Sequence, residues 1–295
     1  MINYIKNWCD YCNLPVDAFN ALKLGYEKLT ENEEDKKVIY DFVSEYEKSK
    51  DIDFTLLRER VKNISLKVGI HEYTGYAVTY LLLTPALKKH YEKLGLTEEI
   101  YNESIKDVSF HMRSTYLCNN VWGTYTTWHN LIYKAEVLGF GRLQFQPIKA
   151  NFDYEDGDAK IINGETYILH THIPRTTTSL DYDECEKSIE KAIKFFKNTL
   201  FNNSNVYFEC QSWLLFKEHE KMLKPTSNIL KFMNRFTIIN NGYYENYNEL
   251  WRLFDMNYTG NPDDFPTDSS LRRAYVNLLK QGGKTGWGRG VFYRK

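Results

Sequence analysis

No window of this chain approaches the roughly 18 uninterrupted apolar residues that a membrane-spanning helix needs, so no span is expected. The opening Met1-Ile-Asn-Tyr-Ile-Lys6 has no basic region followed by an apolar run, and no signal peptide is read there. Neither sign of charge is in excess: Lys and Arg number 38, Asp and Glu 39, for a net charge of −1. That balance leaves no basic footprint for nucleic acid and no polybasic membrane anchor. A disulfide framework is missing too. The five cysteines, at 9, 12, 118, 185 and 210, are odd in number and scattered, which suits a reducing, cytoplasmic setting. The Asn-x-Ser/Thr triplets at Asn63, Asn102, Asn202 and Asn257 are then chance matches. Internal repeats and low-complexity linkers are absent as well.

What is present is a substantial apolar fraction, 42%, in 295 residues, enough for one large domain or two ordinary ones. The 23 tyrosines and 17 phenylalanines stand out, and a biased source composition explains them more simply than an aromatic binding surface. The first ~125 residues carry helical spacing. Val38, Ile39, Phe42, Val43 and Tyr46 form one apolar stripe in a charged stretch, and Phe54, Leu57, Val61, Ile64 and Val68 form another. A more apolar segment, Tyr76 to Leu83, is expected to stop before Pro85. Thr97 followed by Glu98 and Glu99 reads as an N-cap with an acidic first turn.

The pattern changes near Gly139-Phe-Gly141. Arg142-Leu-Gln-Phe-Gln146 alternates as a half-buried strand does, and Asp156-Gly157 and Asn163-Gly164 suggest hairpin turns. Strands are expected over 165–173 and 205–215, with a helix from about Asp181 between them. A helix over 227–236, a β-rich stretch from Thr237, a helix over 270–280 and a last strand near 291–293 complete the order. The fold class is α+β: a helical domain, 1–135, then an α/β domain with a central mixed sheet, 136–295.

Five segments resemble, in order, a bacterial family that pairs an N-acyltransferase N-terminal helical domain with a C-terminal domain like that of the GNAT superfamily of N-acetyltransferases. They are Leu138-Gly-Phe-Gly-Arg-Leu-Gln-Phe145, His172-Ile-Pro174, Cys210-Gln-Ser-Trp-Leu-Leu215, 227–236 and 265–274. The resemblance implies transfer of an acyl group from a thioester, acetyl-CoA or another acyl-CoA or an acyl-carrier protein, to a small-molecule amine or similar acceptor. It also implies that strands 165–173 and 206–215 splay apart around the donor's pantetheine arm, with its pyrophosphate at the start of the following helix. The Gly-rich loop usual there is replaced by Pro174-Arg175-Thr176-Thr177-Thr178-Ser179, which has no glycine. Arg175, Thr176, Thr177, Thr178 and Ser179 are therefore the candidate donor-binding residues. The same departure supports a second reading, a catalytically inactive binding module on this fold.

Three residues are candidates for the chemistry. His172, at the end of a splayed strand, can take a proton from an amine, although bracing the strand end is the plainer role. Cys210 is a candidate nucleophile without an identified base, and a small buried side chain is the commoner fate of such a residue. Ser212 can orient the thioester or protonate the leaving thiolate, or simply satisfy backbone. Tyr243, Tyr244 and Tyr247 are weaker candidate acids, and Arg235 reads first as a structural ion pair. Cys9-x-x-Cys12 lacks the βαβ context of redox pairs and a second pair for zinc. His170 and His172 share a strand face, but no third metal ligand can be named, so no metal is expected. Gly283-Lys284-Thr285 lacks the earlier glycine of a phosphate-binding loop, Leu278 standing there.

Overall fold

The computed structural model describes the whole chain except Asp158, Thr177 and Asn203 and the side chains of Ala159 and Lys160. It divides into two compact units, Met1–Leu138 and Gly139–Lys295. The first unit is helical: α1 (Ile2–Tyr11), α2 (Val16–Leu29), α3 (Glu33–Lys48), α4 (Phe54–Val68), α5 (Glu72–Lys93), α6 (Glu98–Asn119) and α7 (His129–Tyr133). Several starts are fixed by side-chain caps. Asn32 accepts from Glu34 and Asp35 amides at 2.9 and 3.1 Å, and Thr97 accepts from Ile100 at 3.3 Å. Helix α5 is buried from Thr74 through Thr84, with α2, α3, α4 and α6 packed on it.

Helix α5 does not stop at Pro85, as the sequence predicts, but runs on to Lys93. Proline has no N–H for the carbonyl four residues back, which here is that of Leu81. The Thr84 hydroxyl donates to that oxygen at 2.7 Å and fills the gap. With its proton so committed, Thr84 Oγ1 accepts from the Tyr4 hydroxyl at 2.5 Å. Tyrosines serve this core as hydrogen-bonding hydrophobes: Tyr46 donates to the Tyr133 carbonyl at 2.6 Å and Tyr133 to that of Tyr80 at 2.7 Å.

The second unit contains β1 (Leu138–Gly139), β2 (Gln144–Lys149), β3 (Tyr154–Asp156), β4 (Ala159–Ile162), β5 (Tyr167–His172), α8 (Tyr182–Phe196), β6 (Val206–Ser212), α9 (His219–Met222), α10 (Asn228–Met233), β7 (Thr237–Tyr243), α11 (Trp251–Phe254), α12 (Ser270–Lys280) and β8 (Gly286–Arg294). Six strands form a mixed sheet in the order β1-β2-β5-β6-β8-β7, and β3 and β4 make a separate hairpin. The β5–β6 pair is parallel; β2–β5, β6–β8 and β7–β8 are antiparallel. Phe145, Phe208 and Phe292 line up on one face, and Phe140 links Phe145 to Phe196 of α8. On the other, Ile168 and Val291 pack with Ile162 of the hairpin.

Two boundaries differ from expectation. Strand β6 ends at Ser212, and Trp213–Leu215 form a tight turn rather than continuing to 215. The turn rests on β8 at Gly288, where a Cβ would lie 2.1 Å from the Leu215 carbonyl oxygen. Strand β8 is longer than the 291–293 signal, because Gly286, Gly288 and Gly290 dilute its strand character. No helix among the described residues is long and apolar enough to cross a membrane.

Replacing Thr84 by Val keeps its shape and orphans the Leu81 carbonyl and the Tyr4 hydroxyl. A loss of about 1–3 kcal/mol in denaturant unfolding is expected. An unchanged midpoint would show that α5 tolerates Pro85 without this bond.

Candidate functional site

Strand β5 alternates, so Ile168, His170 and His172 point to one side and Leu169 and Thr171 to the other. Register places Gln146 of β2 and Glu209 of β6 beside His170. Glu209 is 0% exposed. A carboxylate so enclosed must be paired, and it is paired twice. His170 Nδ1 donates to Oε2, and Arg289 Nε of β8 donates to Oε1 at 2.7 Å. Arg289 is held in turn by Asn151 Oδ1 at 2.6 Å and lies 4.2 Å over the Phe152 ring.

The His172 ring centre lies 4.4 Å from that of His170, and its Nε2 donates to Gln146 Oε1 at 3.2 Å. A polar row thus crosses four strands: Gln146, His172 with His170, Glu209, Arg289. The carboxylate on Nδ1 fixes the His170 tautomer and leaves Nε2 as the atom able to take a proton. Among the described residues no group of three or more His, Cys, Asp or Glu is arranged to hold a metal ion.

The row lies at one end of the short β5–β6 ladder. The β5–β6 ladder pairs Leu169 with Phe208 and His170 with Glu209. Beyond those pairs Thr171–His172 stay paired with β2 and Cys210–Ser212 with β8, but not with each other. The resemblance implies strands that splay here; the β5–β6 ladder holds two pairs, and 167–168 and 206–207 are not paired across it either.

The remaining candidates lie elsewhere. Cys210 alternates away from Glu209, to the face of Phe208, and is 0% exposed. Burial, with the neighbouring Glu209 charge, pushes its thiol well above the ordinary range. It therefore does not share a face with His172. Ser212 accepts from the Leu214 amide at 3.2 Å and caps the turn that follows. Tyr247 donates to the Gly283 carbonyl at 3.3 Å, and burial raises the phenol of Tyr244. Burial also pushes Cys9 up to about 12 and Cys12 to about 11, opposite to the low pKa of redox thiols.

The loop leaving β5 is cross-braced. Arg142 donates to the carbonyls of Pro174 at 3.0 Å and Ser179 at 3.1 Å. Thr176 Oγ1 donates to the Thr178 carbonyl at 3.1 Å. Arg175 pairs with Asp255, which Arg272 also grips at 2.5 Å. Thr177 lies outside the described residues. Asp181 caps α8 and takes the amides of Asp183 and Glu184 at 3.0 and 3.2 Å, two of the donors that an anion at the helix start would use.

Glu209, Arg289 and Gln146 were missed in the sequence. The available signal was a lone Glu between Phe208 and Cys210 in an apolar strand, a residue type rarely buried without a partner.

Residues 137–292, more than half of the chain, match the family model of the GNAT-like C-terminal domain, and residues 4–134 match that of the N-acyltransferase N-terminal domain. The chain belongs to this family of N-acyltransferases. No curated protein sequence matches it. Among solved structures, an acyltransferase in complex with decanoyl-CoA and teicoplanin is 18% identical, with a TM-score of 0.70 over 94% of this chain and 86% of that one. An acyltransferase in complex with CoA and 10C-teicoplanin is 17% identical, with a TM-score of 0.63 over 97% and 98%. A third, in complex with decanoyl-CoA, is 17% identical, with a TM-score of 0.64 over 98% of each chain. At such identities the likeness is one of fold.

In this N-acyltransferase, Cys210→Ala is expected to leave turnover nearly unchanged in a thioester assay. A drop on the order of 10⁶-fold, the scale of losing a covalent nucleophile, would place the acyl group on Cys210 instead.

Proposed function

We propose that this acyltransferase moves an acyl group from acyl-CoA directly to an amine of a small-molecule acceptor, with His170 as the base. The observation that carries this reading is the buried Glu209–His170 pair at the end of the β5–β6 ladder. The acceptor amine attacks the thioester carbonyl and its proton passes to His170 Nε2. The tetrahedral adduct then collapses, the C–S bond breaks, and the thiolate leaves to be protonated. No acyl-enzyme is needed, which accords with the burial of Cys210.

His172, the base expected from the sequence, stands beside His170 and is aligned by Gln146. We assign it the orientation of the acceptor amine and a share in the proton path. Ser212 is assigned a supporting role at the far end of β6, where it shapes the turn. The solved relatives support the donor and acceptor classes, since those proteins hold decanoyl-CoA and a glycopeptide.

The donor's pantetheine arm fits the gap between the strands, and its diphosphate falls to Arg175, Thr176, Thr177, Thr178 and Ser179. With two helix amides already taken by Asp181, the Arg175 guanidinium and the hydroxyls carry more of that load than in a glycine loop. Arg175 must then exchange Asp255 for phosphate. The domain division is taken at 135 and 136, and five free thiols suit a cytoplasmic enzyme.

His170→Ala and Glu209→Gln are each expected to lower kcat with an acyl-CoA and an amine acceptor by about 10²–10⁴-fold, the range for a lost general base. His172→Ala should cost about tenfold, the low side of that range. Unchanged turnover in His170→Ala with collapse in His172→Ala would move the base to His172. No turnover by the wild type with any acyl-CoA or acyl-carrier protein would return the inactive binding module.

A further inference from the structure

The buried Glu209 carboxylate has one partner that does not titrate. Arg289 lies on β8 between Gly288 and Gly290, on the sheet face it shares with Val291. Three contacts fix its guanidinium: Nε donates to Glu209 Oε1 at 2.7 Å, Nη2 donates to Asn151 Oδ1 at 2.6 Å, and the Phe152 ring lies 4.2 Å away. Its side chain is 18% exposed and that of Glu209 is fully enclosed, so water screens the one from the other only weakly. Around His170 stand also His172 on its own strand, Gln146 from β2, Tyr207 on the Glu209 face of β6 and Tyr154 from the hairpin.

A guanidinium keeps its charge at every working pH. With Arg289 in place the carboxylate is compensated before any proton reaches the imidazole, and the linked His170, Glu209 and Arg289 are neutral as a set while His170 is neutral. Without that cation the set holds one uncompensated negative charge in an enclosed place, and it takes up a proton to relieve it. The imidazole is by nature more basic than a carboxylate by about two pH units, and His170 is the less enclosed of the two, so the proton goes there. An imidazole already protonated cannot accept a proton from the attacking amine.

We propose that Arg289 is a positioning residue for acyl transfer: by compensating the charge of Glu209 it keeps the His170 ring free to accept the proton of the acceptor amine. The proposal rests on the reading of His170 as the base and adds the group that keeps that base available. It also accounts for the way the arginine is tied at both ends, to Glu209 and to Asn151. A guanidinium free to swing into solvent would compensate the carboxylate only part of the time.

The test is a pH titration of the full chain carrying isotope-labelled histidine, followed by NMR, with the His170 signal assigned by its loss in His170→Gln. Arg289→Gln removes the charge and keeps a hydrogen-bonding end. Its His170 midpoint should rise above that of wild type by about 1–3 pH units, the reach of one nearby charge. The acid limb of kcat, measured with an acyl-CoA and methoxyamine, should rise with it; this amine is too weakly basic to titrate in the same range. Arg289→Lys keeps the charge and should leave both near wild type. A role confined to holding the sheet would lower kcat at every pH and leave the midpoint in place. An unmoved midpoint in Arg289→Gln, or an equal rise in Arg289→Lys, would therefore overturn the proposal. Should Arg289→Gln fail to fold, Asn151→Ala carries the test, since it frees one end of the guanidinium. Its midpoint should rise by a smaller amount, and no rise there overturns the proposal as well. Full turnover by His170→Ala is a separate result that would remove the base itself, and the catalytic meaning of Arg289 with it, wherever the midpoint lies.

Discussion

The second unit is organised around one buried charge. A carboxylate enclosed by protein costs several kcal/mol unless its partners are in place, and Glu209 has two. His170 comes from the strand on one side and Arg289 from the strand on the other, so the pairing depends on the register of three strands at once. A slip of one residue in β6 would turn Glu209 into the layer of Phe145, Phe208 and Phe292 and leave His170 and Arg289 without it. The same contact that fixes the sheet also orients the His170 imidazole at the end of the β5–β6 ladder. In the mechanism proposed above, fold and chemistry rest on the same side chain.

The two faces of the sheet consequently have different work. The Phe208 face takes α8 through Phe140 and Phe196 and encloses Cys210, whose thiol is kept neutral by that packing. The Glu209 face carries the polar row and, farther along, the small apolar cluster under the β3–β4 hairpin. The loop leaving β5 is stiffened by Arg142 and tied through Arg175 to Asp255.

In the helical unit a similar economy appears at Pro85. A proline ordinarily ends a helix, but Thr84 supplies the lost donor and α5 continues through the core. The tyrosines, which composition alone marks only as abundant, are there because a ring can be buried while its hydroxyl reaches a carbonyl, as at Tyr46 and Tyr133.

The sequence by itself determined what short-range chemistry controls. Amphipathic spacing gave α3 and α4, a capping residue gave the start of α6, and alternation gave β2. The order of those elements carried the family, and His172 was found because it sits at a strand end that order marks. Tertiary structure alone decided the rest. Whether α5 survives Pro85 depends on a neighbouring hydroxyl, and where β6 turns depends on Gly288 in a strand far along the chain. Above all, Glu209, His170 and Arg289 are far apart in sequence, and neither spacing nor period can report a pairing made across strands. Only the register brings them together, because a buried charge finds its partners through the sheet and not along the chain.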